Sequence, residues 1–281
     1  MRFVRRYHPL VALLLLMPSA AILSGCDNTL DPYTENDLFY FSFYGYLDTA
    51  DDVHWIRVVD LQEESGHRGD PQISVTLEHL ESGERFEMQD SLFHFGGGRT
   101  ARNFRAEAEI LPESTYRLTA IREDGAQSNA IIETPSGFRD PELLQPRFMQ
   151  DFDELTIFDV EHLADVQIRF NTIHKESGNV RPYTISLMDI VSPAGGNQHS
   201  ALISRDLIPL AIRGLEDILV TDCRIHISKG GDGWVDFDSI DPRIIALPRG
   251  ISNVEQGTGY VVGVKSRTIE YEHASCDDQE D

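Results

Sequence analysis

Strict alternation of apolar and polar side chains, restarting at short intervals between turn-forming clusters, most limits the folds open to this chain. It begins abruptly at residue 39, where Phe39, Phe41, Phe43 and Leu47 fall on one face and Tyr40, Ser42, Tyr44 and Tyr46 on the other. A period of two places successive side chains on opposite faces of a strand. Both faces of this strand are aromatic, which suits a strand covered on each side. His54–Leu61, Ile73–Leu80, Arg85–Gln89, Phe104–Ile110, Tyr116–Arg122 and Ala130–Thr134 continue the pattern. Turn signals at Glu81-Ser82-Gly83-Glu84, Pro112–Thr115 and Asp124-Gly125 separate several of them. Short strands at this spacing predict an immunoglobulin-like β-sandwich over residues 38–137.

Residues 138–151 contain Pro141 and Pro146 without a strand period and read as a linker. A second β-rich domain is expected over 152–276, from alternation at Leu155–Val160, Val166–Asn171, Tyr183–Met188, Cys223–Ser228 and Tyr260–Val264. Within it, Asp206 is placed to cap a helix over 207–219, with Leu207, Leu210, Ala211, Leu215, Ile218 and Leu219 as its apolar stripe. Pro209 fits only the first turn of such a helix, and Gly214 weakens it. Residues 277–281 form an acidic tail. The fold class expected is therefore mainly β, a sandwich followed by a β-rich domain with one helix.

The N-terminus reads as an export signal. Arg2, Arg5 and Arg6 form a basic region, and Leu10–Met17 form an apolar run too short to span a bilayer. Leu23-Ser24-Gly25-Cys26 follows and resembles the bacterial lipobox, whose cysteine receives diacylglycerol after cleavage. Residues 1–25 would then be removed, with Cys26 lipidated and 26–37 a polar tether. Two or more acyl chains anchor stably where one does not. This places the protein in the cell envelope with lipid at Cys26 as its membrane partner.

Cysteine and charge usage follow from that placement. With Cys26 lipidated, Cys223 and Cys276 remain as an even pair, expected to form a disulfide in an oxidising compartment. Two free thiols are the alternative. The formal net charge is −23, and loss of Arg2, Arg5 and Arg6 deepens it by three. Such a surface excludes nucleic acid as a partner and repels anionic headgroups.

No Gly-x-Ser-x-Gly elbow, His-Glu-x-x-His motif or phosphate-binding loop occurs in the chain. The glycine-rich stretches at Gly96-Gly97-Gly98-Arg99 and Lys229-Gly230-Gly231-Asp232-Gly233 lack nucleotide-loop spacing and read as loops. His79 and His226 are placed on polar strand faces, and a hydrolytic site assembled through the fold stays open. Asp232, Asp236, Asp238 and Asp241 bracket Trp234 and could offer oxygen ligands to Ca²⁺, although EF-hand spacing is missing. A solvated loop is the alternative, and no other cofactor is expected. Tyr40, Tyr44 and Tyr46 are the candidate binding residues: if their face is open, the aromatic ladder could stack sugar rings or dock a protein, and burial of that face beneath another layer is the favoured alternative.

The chain also resembles bacterial outer-membrane lipoproteins of the family designated domain of unknown function 4249. The resemblance lies in Phe43-Tyr44-Gly45-Tyr46-Leu47-Asp48 followed by Trp55-Ile56-Arg57-Val58, in Tyr116-Arg117-Leu118 with Thr134-Pro135, and in Ser252–Tyr260. Val261 and Val262 depart from the aromatic and glycine residues that usually follow. The resemblance implies an outer-membrane lipoprotein working beside a TonB-dependent receptor in uptake, and it supplies no catalytic residues. An accessory or binding module is thus the leading expectation, with a lipid-anchored hydrolase or a structural envelope protein as alternatives.

Overall fold

The computed structural model describes residues 39–61, 72–95, 99–236, 240 and 251–276. The export signal, Cys26, the tether, Gly96–Gly98, Asp238, Asp241 and the acidic tail lie outside the described residues. What is described is mainly β, with one five-residue helix. No helix among the described residues is long and apolar enough to cross a membrane.

The expected first strand is β1 (Phe41–Asp48). Phe41, Phe43 and Leu47 point into the first core with no exposure. Burying each side chain contributes about 1.5–3 kcal/mol. β1 pairs antiparallel with β2 (Val53–Asp60), which pairs with β5 (Arg99–Glu107). The fold turns back on itself through β4 (Arg85–Phe95), whose second half from Gln89 pairs with β5 and whose first half pairs with β3 (Ile73–His79). From β3 the sheet continues through β6 (Thr115–Arg122) and β7 (Gln127–Glu133) to the two-residue β15 (Val254–Glu255). Val75, Leu77, Leu118, Ala130 and Ile132 of this layer share one apolar core with Phe41, Phe43, Ile56 and Phe104 of the other. This is the expected sandwich.

The second core lies under the other end of the same large sheet. β10 (Leu163–His174) pairs with β11 (Val180–Ser186) and with β14 (Ile218–Gly230). A separate four-stranded sheet runs in the order β12 (Ser192–Gly195), β13 (Gln198–Ser204), β9 (Phe152–Ile157) and β8 (Glu142–Leu144). Its Leu155, Ile157, Ala201 and Ile203 pack with Val166, Ile168, Phe170, Ile225 and Ile227 of the large sheet.

One strand serves both halves. β16 (Gly257–Glu270) pairs parallel with β1 through Gly257–Val264 and antiparallel with β14 through Val264–Glu270. Val261 belongs to the first core, while Ile269 packs on the second. The division at residue 151 therefore does not describe how the cores are built. The expected linker also takes part in folding, since Phe138 is buried in the second core and residues 142–144 form β8.

Close backbone approach makes the β1–β16 pairing possible. At Gly259, φ is +103°, and a Cβ there would lie 2.1 Å from the Phe43 carbonyl oxygen. Only glycine fits both demands. Asn253 completes the strand's start: its carboxamide accepts the Val261 N–H at 3.0 Å and donates to the Val261 carbonyl at 2.5 Å.

The helix differs most from expectation. α1 spans only Leu207–Ala211, and Asp206 makes no side-chain capping bond. Gly214 at φ +89° and Asp217 at φ +52° turn the backbone out of the helix, and Ile218 and Leu219 enter β14 instead. The disulfide between Cys223 and Cys276 is formed. It joins β14 to the segment after β16. That segment is also held by the Tyr271 hydroxyl, which donates to buried Asp153 at 3.0 Å, and by His273 against the Arg205 carbonyl at 2.7 Å.

Candidate functional site

Both cores lie on one side of the large sheet, so its opposite face determines what the protein presents. On β1 that face carries Tyr44 and Tyr46, which are 52% and 56% exposed. On β2 it carries Trp55, 41% exposed, and on β4 Phe93, 40% exposed. The Trp55 and Phe93 rings meet edge to face with centroids 5.6 Å apart, and the Arg105 guanidinium lies 5.8 Å from the Trp55 ring. Arg57, directly opposite Tyr44 across β1 and β2, donates to Asn103 at 3.5 Å. The result is an open stripe of rigid aromatic side chains interleaved with arginine. Aromatic residues and arginine are enriched at the cores of protein interfaces.

Farther along the same face, β1, β10, β14 and β16 enclose a cleft of about 340 Å³. Its floor follows from register. His226 faces Thr268 and Ser228 faces Ser266 across β14 and β16, and all four alternate with the inward Ile225, Ile227 and Ile269. The Ser228 hydroxyl lies 2.7 Å from that of Ser266 and 3.0 Å from His226 Nε2, while His226 Nδ1 lies 3.2 Å from the Thr268 hydroxyl. Burial, with a further push from Arg169, lowers the imidazole to about 4, so it is neutral at physiological pH. Asp48 accepts the N–H groups of Ala50 and Ser266 at 2.9 and 3.0 Å. Asp51 and Asp165 flank the floor, and burial raises the carboxyl of each above its ordinary range. Tyr46 stands at the rim, its phenol raised first by partial burial and then by Asp51. Trp234 closes the far wall against Gly230, where a Cβ would lie 2.5 Å from the indole Cγ.

No family model matches the chain, and no curated protein does. Among solved structures, the chicken CNTN1 FN1–FN3 domains align at 13% identity with a TM-score of 0.27, over 68% of this chain. The chain spans 57% of that structure's length.

The serine–histidine contact in the cleft is not a hydrolytic triad. Ser228 is 6% exposed, and its hydroxyl lies within hydrogen-bonding distance of both the Ser266 hydroxyl and His226 Nε2. The other ring nitrogen meets a hydroxyl, so no carboxylate is in hydrogen-bonding reach to stabilise an imidazolium. A second serine–histidine contact involves His79, which was expected on a polar face but shares the buried face of β3 with Val75 and Leu77, where their own period of two puts it. There Ser82 lies 2.7 Å from His79 Nδ1, and Glu81 lies 3.0 Å from Nε2 without a hydrogen bond forming. Glu81 also accepts the Thr115 N–H, and Ser82 accepts that of Glu84, so the cluster fastens the β3–β4 turn.

The other sequence candidates separate. Tyr44 and Tyr46 share the open face, whereas Tyr40 packs partly buried against the first core. Asp232 and Asp236 are exposed, and no group of three or more His, Cys, Asp or Glu able to hold a metal occurs among the described residues. Trp55, Phe93, Arg169 and Trp234 were not legible as site residues, because they reach their neighbours across strands rather than along one.

Proposed function

We propose that this chain is a lipid-anchored lipoprotein of the cell envelope, working as a binding or accessory module of an outer-membrane uptake complex. It docks a membrane-embedded partner protein, such as a TonB-dependent receptor, and performs no chemistry itself. The open aromatic stripe of Tyr44, Trp55 and Phe93 carries the reading, because solvent contact at three large rings on one face is compensated when a partner covers them. The lipobox ending at Cys26 supports the anchor, and the Cys223–Cys276 bridge suits an oxidising compartment. The resemblance to the domain of unknown function 4249 lipoproteins agrees with an outer-membrane setting. Tethering raises the effective concentration of the module at the membrane, so a modest interface suffices.

Crosslinking in the native envelope followed by affinity capture tests this. A specific outer-membrane protein is expected, and the double variant Tyr44→Ser, Trp55→Ser should reduce its recovery about tenfold while leaving the protein folded. Unchanged recovery in that variant, or capture of no membrane protein, refutes the docking role. Turnover of an ester, peptide or glycoside by the purified protein, lost in Ser228→Ala, would instead establish the hydrolase.

A further inference from the structure

We propose that the cleft bounded by Tyr46, Arg169, His226 and Trp234 is a carbohydrate subsite that takes a neutral mono- or disaccharide. The cleft adjoins the docking stripe at Tyr46, but its polar floor and Trp234 lie outside the Tyr44, Trp55 and Phe93 surface that carries the docking role.

Its floor is the first reason. Three hydroxyls and a neutral imidazole form one hydrogen-bonded row, and a hydroxyl bonded once as donor still has acceptor capacity. Such a row offers donors and acceptors to a ligand without a charge that would select an ion. The rim supplies the complementary groups. Asp51 and Asp165 accept and Arg169 donates, and the guanidinium attracts both carboxylates across the opening. Gln167 holds the spacing along β10 by accepting from Arg169 Nε at 3.1 Å. Neighbouring sugar hydroxyls donate and accept together, which matches carboxylates and a guanidinium set around one opening.

The walls meet the other demand of a sugar ring, whose C–H faces are apolar. Trp234 is locked in place by its packing on Gly230, and Tyr46 faces the opening from β1. At about 340 Å³ the cleft lies at the small end of the roughly 300–1,000 Å³ range of ligand pockets, room for a ring or two. Anionic ligands are disfavoured by a net charge of −23. An organic cation is the competing occupant, since rings and carboxylates attract one. Arg169 on the rim opposes it, and Asp48 is already committed to two backbone N–H groups.

The sequence contains two tryptophans, so Trp55→Phe leaves Trp234 as the only indole reporter. In that background, emission is titrated with maltose, cellobiose, galactose and N-acetylglucosamine up to about 50 mM, and with choline and arginine as cationic probes. At least one saccharide should give a saturable shift, with saturation-transfer NMR locating its C–H face against the protein. Arg169→Gln and Asp165→Asn, each checked for an unchanged circular dichroism spectrum, should weaken that binding about tenfold. The proposal is overturned if no saccharide shifts Trp234, if choline or arginine binds more tightly than every saccharide, or if binding persists unweakened in both folded variants.

Discussion

Removing the Cys223–Cys276 bridge gives the most direct quantitative test of how this fold is held. The two cysteines are 53 residues apart, and closure of a loop that size restricts the unfolded chain by about 4 kcal/mol in the chain-entropy account. The structure says where that energy should not come from. Cys223 lies within β14 between the paired residues Thr221 and Arg224, and its carbonyl accepts the Tyr271 N–H at 3.0 Å, a bond that does not depend on the bridge. Tyr271 and His273 have their own bonds to Asp153 and the Arg205 carbonyl. The native state should therefore lose little, and the effect should lie mostly in the unfolded ensemble. We expect Cys223→Ala, Cys276→Ala to lose about 2–4 kcal/mol and to show a steeper urea dependence than the oxidised protein, because its unfolded chain exposes more surface. Urea unfolding followed by near-ultraviolet circular dichroism measures both quantities. A loss below about 1 kcal/mol with an unchanged slope would refute the unfolded-state argument. Two alkylatable thiols in the native protein would refute the bridge itself.

Gly259→Ala should destabilise by about 3 kcal/mol or more, seen as a melting temperature lower by about 6–12 °C, since it imposes both a positive φ and a clash with the Phe43 carbonyl. Gly83→Ala, at φ +74° with open space around it, should cost only about 1 kcal/mol; equal effects would remove the close-approach argument. His226 binds its proton less readily folded than unfolded, so its contribution to stability is intact above about pH 6.5 and is lost as the pH falls toward 4. Relative to His226→Asn, the wild type should lose about 1–2 kcal/mol more over that interval, discounted because the ring is part-exposed; parallel pH profiles would contradict the lowered value. Cys26→Ala should abolish metabolic labelling with palmitate, and label retained in that variant would remove the lipid anchor.

Much of the fold was legible because alternation is a local property. Phe41, Phe43, Leu77, Leu118, Val166 and Ile225 occupy the inward positions that their period predicts. What the sequence hides is partnership. Nothing near residue 41 announces that its neighbour is Gly257, and the Asn253 and Gly259 contacts that make this pairing work acquire meaning only once the strands meet. The helix is shorter than the expected 207–219 for a related reason: Leu215, Ile218 and Leu219 fit a helical stripe, but the positive φ at Asp217 and the ladder of β14 outweigh that local preference. β8, at three residues, is too short to display a period. The site divides the same way. Tyr44 and Tyr46 could be read along one strand, whereas the cleft joins β1, β10, β14 and β16 through register alone. Its one local trace was the polar sequence Asp165, Gln167 and Arg169 alternating with Val166 and Ile168.

The position of β16 also has a consequence in time. A polypeptide is made from its N-terminus, and β1 must wait for a neighbour more than two hundred residues behind it; Ser266 donates to Asp48 across a separation of 218. Until the last strand arrives, one edge of β1 has unsatisfied backbone groups, with Phe41 and Phe43 beside it. The N-terminal half thus cannot finish folding as it emerges and must remain partly open until β16 has been made. Long-range pairing of this kind folds slowly and is exposed to aggregation meanwhile. Truncation a few residues before Gly257 would therefore leave two unfinished sandwiches rather than one intact domain and one damaged one.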